Sequence, residues 1–196
     1  MVCSPGSRPS TAEVPAPRVQ PVLETPEPPI ATERFSLRLW GSASSDAAAL
    51  TRAWNDPTIA DGTAVPSTPD TATASRWIEG EIERRRRGLA LDLVVADPTA
   101  PEQVLGEVGV VVADRARGWG ELGWWLFPEA RGRGIAAGAV ELLARHLLAE
   151  TTLRRLFARI PADNSASQRV AERAGMTEVG RTDDGVHVWV RDRTAT

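Results

Sequence analysis

Between Leu122 and Leu147 the chain passes from an apolar run through a glycine turn into a helical repeat, and no other stretch restricts the fold as tightly. Leu122-Gly123-Trp124-Trp125-Leu126-Phe127 reads as a buried strand. Pro128 ends it, because proline has no N–H to give to a ladder. Beyond Gly134 the apolar residues Val140, Leu143 and Leu147 recur at helical spacing, so a helix begins near Ile135. The turn between them has a chemical consequence. The first N–H groups of a helix have no partner within it, and they point where the helix dipole already favours negative charge. Gly132 and Gly134 let the backbone approach an anion without a Cβ in the way, and Arg131 and Arg133 add cationic forks. Residues 131–136 therefore read as a cradle for a diphosphate. Taken alone, they suit a tight turn with solvated charges equally well.

Two common phosphate loops do not fit. Ala137 stands where the third glycine of Gly-x-Gly-x-x-Gly would be, and no acidic residue follows on a second parallel strand as the dinucleotide fold requires. A Walker loop needs a lysine, and all 23 basic residues here are arginine. The missing lysine and missing tyrosine are read as genomic composition bias, but any tyrosine-dependent step is excluded.

Arg131-Gly132-Arg133-Gly134-Ile135-Ala136 resembles the Arg/Gln-x-x-Gly-x-Gly/Ala loop of the GNAT superfamily of acyl-CoA-dependent N-acetyltransferases. Two flanking segments extend the resemblance. Glu121-Leu122-Gly123-Trp124-Trp125-Leu126 looks like the strand before that loop. Asp163 to Met176, which holds Asn164, Ser167 and Gly175, looks like the later helix and the start of the strand after it. All three are similar to the branch of ribosomal-protein N-terminal alanine/serine acetyltransferases. The resemblance covers roughly residues 34 to 192 and is strongest from 104 to 180.

Residues 1–30 hold eight of the fifteen prolines and few large apolar groups. Such a segment buries too little surface to offset its ordering entropy, so a disordered tail is expected there, with one N-acetyltransferase domain over 31–196. Along that domain the patterns predict a strand over 35–39, a helix from a capping Asp46 to Asn55, and a second helix from Asp70 to Gly88. Strands follow at 89–96, 104–113 and 119–127, then a helix over 134–149, a strand over 154–160, a helix over 164–174, and strands near 176–181 and 185–191. That order implies an α/β (α+β mixed) fold: a central mixed, mostly antiparallel sheet of about seven strands with helices on both faces. The GNAT resemblance implies the same order.

A net charge of −3 gives no reason to expect nucleic acid as the main partner. Cys3, the single cysteine, excludes an internal disulfide and suits a reducing cytoplasm. No stretch approaches the roughly 18 apolar residues of a membrane span. The first residues lack an apolar signal core, so no secretory signal is expected. His146 and His187 have no partner at ligand spacing, and no metal is expected. Arg84 to Arg87 read as a solvated helix end, with contact to an acidic substrate as the alternative. A homodimer through sheet edges or helices is compatible with this composition, and no residue calls for one.

The resemblance implies acetyl-CoA as co-substrate and assigns roles. Pantetheine lies along the end of the 119–127 strand, against the main chain of Leu126 and Phe127. Asn164 bonds that arm and Ser167 faces the sulfur; with no tyrosine present, Ser167 or a water protonates the leaving thiolate. Structurally, Asn164 is also a good helix cap. Glu121 is the first candidate base or water relay: it starts the strand leading to the reacting carbonyl, and a carboxylate near Trp119 and Trp124 would have a raised pKa. Glu107, on the neighbouring strand, is the second. Each also suits an ordinary surface carboxylate at a strand end. The implied acceptor is a primary amine, foremost a protein or peptide N-terminal α-amine. A small-molecule amine (antibiotic, polyamine or amino acid) is the alternative, and a non-catalytic acyl-CoA-binding module is a third reading.

Overall fold

Alternating apolar residues and glycine turns place thirteen segments in regular structure, and a computed structural model describes residues 23–27, 29–63 and 65–194. The strands are β1 Ser36–Leu39, β2 Ala90–Ala96, β3 Val104–Asp114, β4 Trp119–Leu126, β5 Arg155–Ile160, β6 Thr177–Arg181 and β7 His187–Asp192. The helices are α1 Asp46–Trp54, α2 Pro57–Ala60, α3 Thr71–Arg86, α4 Ile135–Glu150 and α5 Ser165–Arg173, with a single 3-10 turn at Pro128–Ala130. The strands form one sheet in the order β1-β2-β3-β4-β5-β7-β6. Every neighbouring pair is antiparallel except β4 with β5, which run parallel. The expected mixed α/β sheet of seven strands is thus the observed one, with each long element within about two residues of its predicted ends.

Strand alternation gives the sheet two different faces. Leu91, Leu93, Val108, Val110 and Leu122 pack with Ile135, Val140, Leu143 and Leu147 of α4 and with Ala171 of α5. Val94, Trp125 and Phe127 point the other way, where Trp40, Leu50, Trp54 and Ala74 close a second core beneath α1 and α3. Helices therefore cover both faces. Among the described residues no helix covers the second face over the start of β4 and over β5, where Gly123 is exposed, as is the neighbouring Val111 of β3.

Three details depart from the sequence reading. Asp46 does not cap α1. Its carboxylate, 1 % exposed, instead accepts from both terminal nitrogens of Arg38 (2.7 and 2.9 Å) and from the Gly41 N–H (2.8 Å), pinning β1 to the helix start. Pro57 stops α1 but also opens the one-turn α2, because Asp56 accepts from the Thr58 N–H as a cap. Residues 1–22 of the expected tail lie outside the described residues. Part of the described remainder is packed: Leu23 is 4 % exposed in the main core, and the Glu24 carbonyl meets the His146 ring at 3.2 Å. Among the described residues the packed body thus reaches back to Leu23, eight residues before the expected boundary at 31.

Candidate active site

The parallel pair β4–β5 stays together only briefly. Its register runs from Trp119↔Arg155 to Glu121↔Phe157, although β4 continues to Leu126 and β5 to Ile160. Beyond Glu121 the two strands part and leave a V-shaped opening between their carboxyl ends. Each strand feeds a helix, so the N-termini of α4 and α5 both lie at that opening. Ligands of α/β sheets bind at this kind of crevice, outside the carboxyl ends of the strands.

Gly134 is the cap residue of α4, with φ 73° and ψ 7°, and Gly132 has φ 75°. Side chains rarely adopt this left-handed backbone, and a glycine cap has no side-chain oxygen to offer the helix. The N–H groups of Ile135, Ala136 and Ala137 therefore carry no side-chain cap. Arg133 is exposed beside them. Arg34, which the motif did not reveal, crosses from before β1 and donates to the Arg133 carbonyl at 3.4 Å. Arg131 is not a free fork. Its Nε donates to the Leu126 carbonyl (3.0 Å) and its Nη2 to the Thr58 hydroxyl (2.9 Å), tying the end of β4 to α2.

The main chain of β4 bears on a second expectation. The Phe127 N–H donates to the Leu105 carbonyl (2.9 Å) and is spent, while the Phe127 carbonyl accepts from the Ala130 N–H (2.9 Å) and keeps one lone pair. By alternation Trp124 and Leu126 face the opening instead. With the Leu126 carbonyl held by Arg131, the Leu126 N–H and the main-chain groups of Trp124 remain directed at it. Across the opening, Asn164 caps α5 by accepting from the Ser167 N–H at 3.0 Å, and the Ser167 hydroxyl is half-buried one turn in.

The carboxylates divide into two places. Glu121 stands where β4 and β5 part, and its two oxygens accept from Nε and Nη2 of Arg159 at 2.8 and 3.0 Å. The apolar surroundings expected for it are absent. Trp124 points to the other face, and Trp119 lies under the guanidinium groups of Arg117 and Arg155. Glu107 instead lies under α1 and α3, its oxygens accepting from the indole N–H groups of Trp40 (2.8 Å) and Trp125 (3.2 Å). Burial, with the nearby Asp92 charge, pushes its carboxyl up to about 8 against those two hydrogen bonds. Glu81 of α3 is pushed up to about 8 by burial and by its hydrogen bond with Asp92. Burial raises Asp92 as well. Arg84 pairs with Glu81 and lies 3.5 Å from Asp92, so this member of the basic run is a partner of buried acids rather than a solvated helix end. Gly109 makes room for the group: a Cβ there would stand 2.0 Å from Asp92 Oδ1. Neither Glu81 nor Asp92 was singled out from the sequence.

The structure thus brings together residues 131–136, Leu126, Asn164 and Ser167 around one opening, with Glu121 at its base and Glu107 set apart beneath the helices. Among the described residues no three His, Cys, Asp or Glu side chains gather as a metal site, and no helix is long and apolar enough to cross a membrane.

Comparison with known proteins matches residues 34–177 to the acetyltransferase (GNAT) domain. YdaF of Bacillus subtilis (strain 168), a candidate ribosomal N-acetyltransferase, is 28% identical over 104 residues, which is 53% of this chain and 57% of that protein. The chain thus spans little more than half the length of this curated relative. The ribosomal-protein-S5-alanine acetyltransferase of Vibrio fischeri superposes with a TM-score of 0.73 at 20% identity, over 84% of this chain and 96% of that one. The microcin C7 self immunity acetyltransferase MccE, solved in complex with acetyl-CoA and AMP, gives 0.67 at 21% identity, over 82% and 93%.

Proposed function

The chain belongs to the acetyltransferase (GNAT) family, and on that premise we propose that it moves an acetyl group from acetyl-CoA to a primary amine, above all the α-amine of a protein or peptide N-terminus. The observation that carries this reading is the opening between β4 and β5, with the uncapped start of α4 at its rim and unpaired β4 main chain along its side. The amides of Ile135 to Ala137 and the charge of Arg133 suit the diphosphate of coenzyme A. The Leu126 N–H and the Trp124 main chain suit the amide-bearing pantetheine arm, which takes the place of a strand partner. On the other side the Nδ2 of Asn164 stays available, because only its Oδ1 serves the cap.

The chemistry asks for a neutral amine, a polarised thioester carbonyl and a proton for the leaving thiolate. A free α-amine has a pKa near ~7.7–8.0 against ~10.4 for lysine, so an N-terminus needs far less help to attack. The nitrogen adds to the carbonyl carbon while a β4 N–H stabilises the developing oxyanion. The C–S bond then breaks, and the thiolate takes a proton from the Ser167 hydroxyl or from water. Glu107 holds its own proton near neutral pH and does not accept the one the amine gives up. Glu121, directly or through water, is the acceptor this reading assigns. A reducing cytoplasm suits a chain with one cysteine.

A small-molecule acceptor is the second reading, favoured by the likeness in fold to the self immunity enzyme, whose name places it outside ribosomal modification. Incubation with acetyl-CoA and a panel of free-N-terminus peptides, polyamines, aminoglycosides and amino acids separates the two. The expected result is mass gain on peptide α-amines with matching release of free thiol. Binding of acetyl-CoA with no amine acetylated would leave only an acyl-CoA-binding module.

A further inference from the structure

The charges at the parting of the parallel strands form a matched pair. Glu121 is the last residue of β4 to pair with β5, and Arg159 lies two residues beyond its partner Phe157. By alternation both side chains stand on the second face, at its end away from α1 and α3, and they reach across the point where the strands separate. The pair is bidentate, 2.8 and 3.0 Å, with side chains 30% and 59% exposed. It lines a cleft of about 290 Å³ whose far wall is formed by Pro161, Thr182, Asp184 and Val186. Two residues further along β4 on the same face, Gly123 has nothing within 4 Å of the place a Cβ would take. Asp184 faces the same guanidinium from the β6–β7 turn and, with Glu121, strengthens its hold on its proton. An exposed ion pair of this kind contributes little to stability. Its position at the base of the opening is where an acceptor must arrive.

We propose that Glu121 and Arg159 together read an α-amino-carbonyl unit, the carboxylate taking the acceptor's α-ammonium and the guanidinium donating to the carbonyl oxygen of the same residue. This inference rests on the acetyltransferase reading and names its acceptor class. In an N-terminal residue the amine nitrogen and the carbonyl oxygen are joined through Cα and lie roughly 3 Å apart. A positive group beside an acceptor therefore meets a negative group beside a donor. An ionised carboxylate has lone pairs for both Arg159 and an ammonium. The side chain of lysine or a polyamine brings only the cation and gives the guanidinium no partner. The site thus selects peptide N-termini and other α-amino acyl compounds over isolated alkylamines.

Arg159→Met keeps the apolar stem and removes the fork. Steady-state kinetics would be run on an alanyl peptide, on a lysine-containing peptide with a blocked N-terminus, and on spermidine. Acetyl-CoA affinity and melting temperature are followed to show that the variant is folded and charged with co-substrate. The expected result is a rise in KM for the alanyl peptide of about 10- to 100-fold, the loss of one hydrogen bond to a charged group, with a much smaller fall in kcat. The preference over the blocked peptide and spermidine shrinks by the same factor, and Arg159→Lys restores part of it. Unchanged KM and preference in Arg159→Met, or a fall in kcat shared by all three acceptors, overturns the inference and leaves the acetyltransferase reading standing. Wild-type protein that acetylates only spermidine or the lysine side chain also overturns the inference alone. Acetylation of no acceptor overturns both.

Discussion

Replacing Glu107 by glutamine tests whether the carboxyl under α1 and α3 is kept neutral by its surroundings. In the native chain it is held between two indole donors at 2.8 and 3.2 Å, and burial with the Asp92 charge raises it to about 8 from an ordinary value of 4.5. Between those two values the folded protein binds a proton that the unfolded chain has lost. Stability conferred by this group is complete below the unfolded value and is lost as pH rises through the folded one. The slope is at most about 1.4 kcal/mol per pH unit. Glu81 titrates in the same window and its charge bears on Glu107, so the difference between wild type and variant reports Glu107 together with its effect on that neighbour. Glutamine offers one carbonyl oxygen where the acid offers two acceptors, which leaves one indole N–H unpaired at a cost of about 1–3 kcal/mol. The variant is therefore less stable at pH 6, and the gap narrows by roughly 2–3 kcal/mol by pH 8, because unfolding wild type releases the proton that the folded chain holds. Urea unfolding followed by tryptophan fluorescence at pH 6, 7, 8 and 9 measures it. Parallel stability curves, or a gap that widens with pH, would refute a raised Glu107.

Three further outcomes follow from single contacts. Gly109→Ala places a Cβ on Asp92 Oδ1, and thermal unfolding should show a loss of about 1–3 kcal/mol as the acids and α3 shift. Asn164→Ala removes the acceptor of the Ser167 N–H; a loss of about 1 kcal/mol is expected, together with a raised KM for acetyl-CoA that a pure cap would not produce. Leu23→Ala should cost about 2–5 kcal/mol in denaturant unfolding, as for any buried leucine. A change below about 0.5 kcal/mol, the range of surface sites, would mean that the segment is not docked.

Local signals carried most of the fold. Proline and glycine punctuation, the Asp70 cap and the spacing of Val140, Leu143 and Leu147 act over one or two turns, so elements set by them were readable. The four-residue α2 and the three-residue turn at Pro128 were missed, being too short for periodicity to register. Leu23 was hidden because a lone leucine among prolines gives no sign of the core it joins. The site divided along the same line. Gly132, Gly134 and Asn164 act through their own backbone or cap, and their places were legible. The partners of Asp46, Arg131, Glu121 and Arg84 were not, because each is decided by register and by elements 5 to 73 residues away. That the Phe127 N–H turns toward β3 was illegible for a related reason. Which main-chain groups face the opening depends on strand parity against β3, which the Phe127–Leu105 bond sets and composition does not.

The central claim is that amides at the start of α4 hold the diphosphate of coenzyme A. Isothermal titration of acetyl-CoA into wild-type chain and into Gly134→Val addresses it directly. Valine at φ 73° costs about 1–2 kcal/mol in backbone strain and turns those amides away. A saturable one-to-one isotherm for wild type, lost in a variant whose circular dichroism is unchanged, is the predicted result. No heat with wild type, or equal affinity in both proteins, would contradict it.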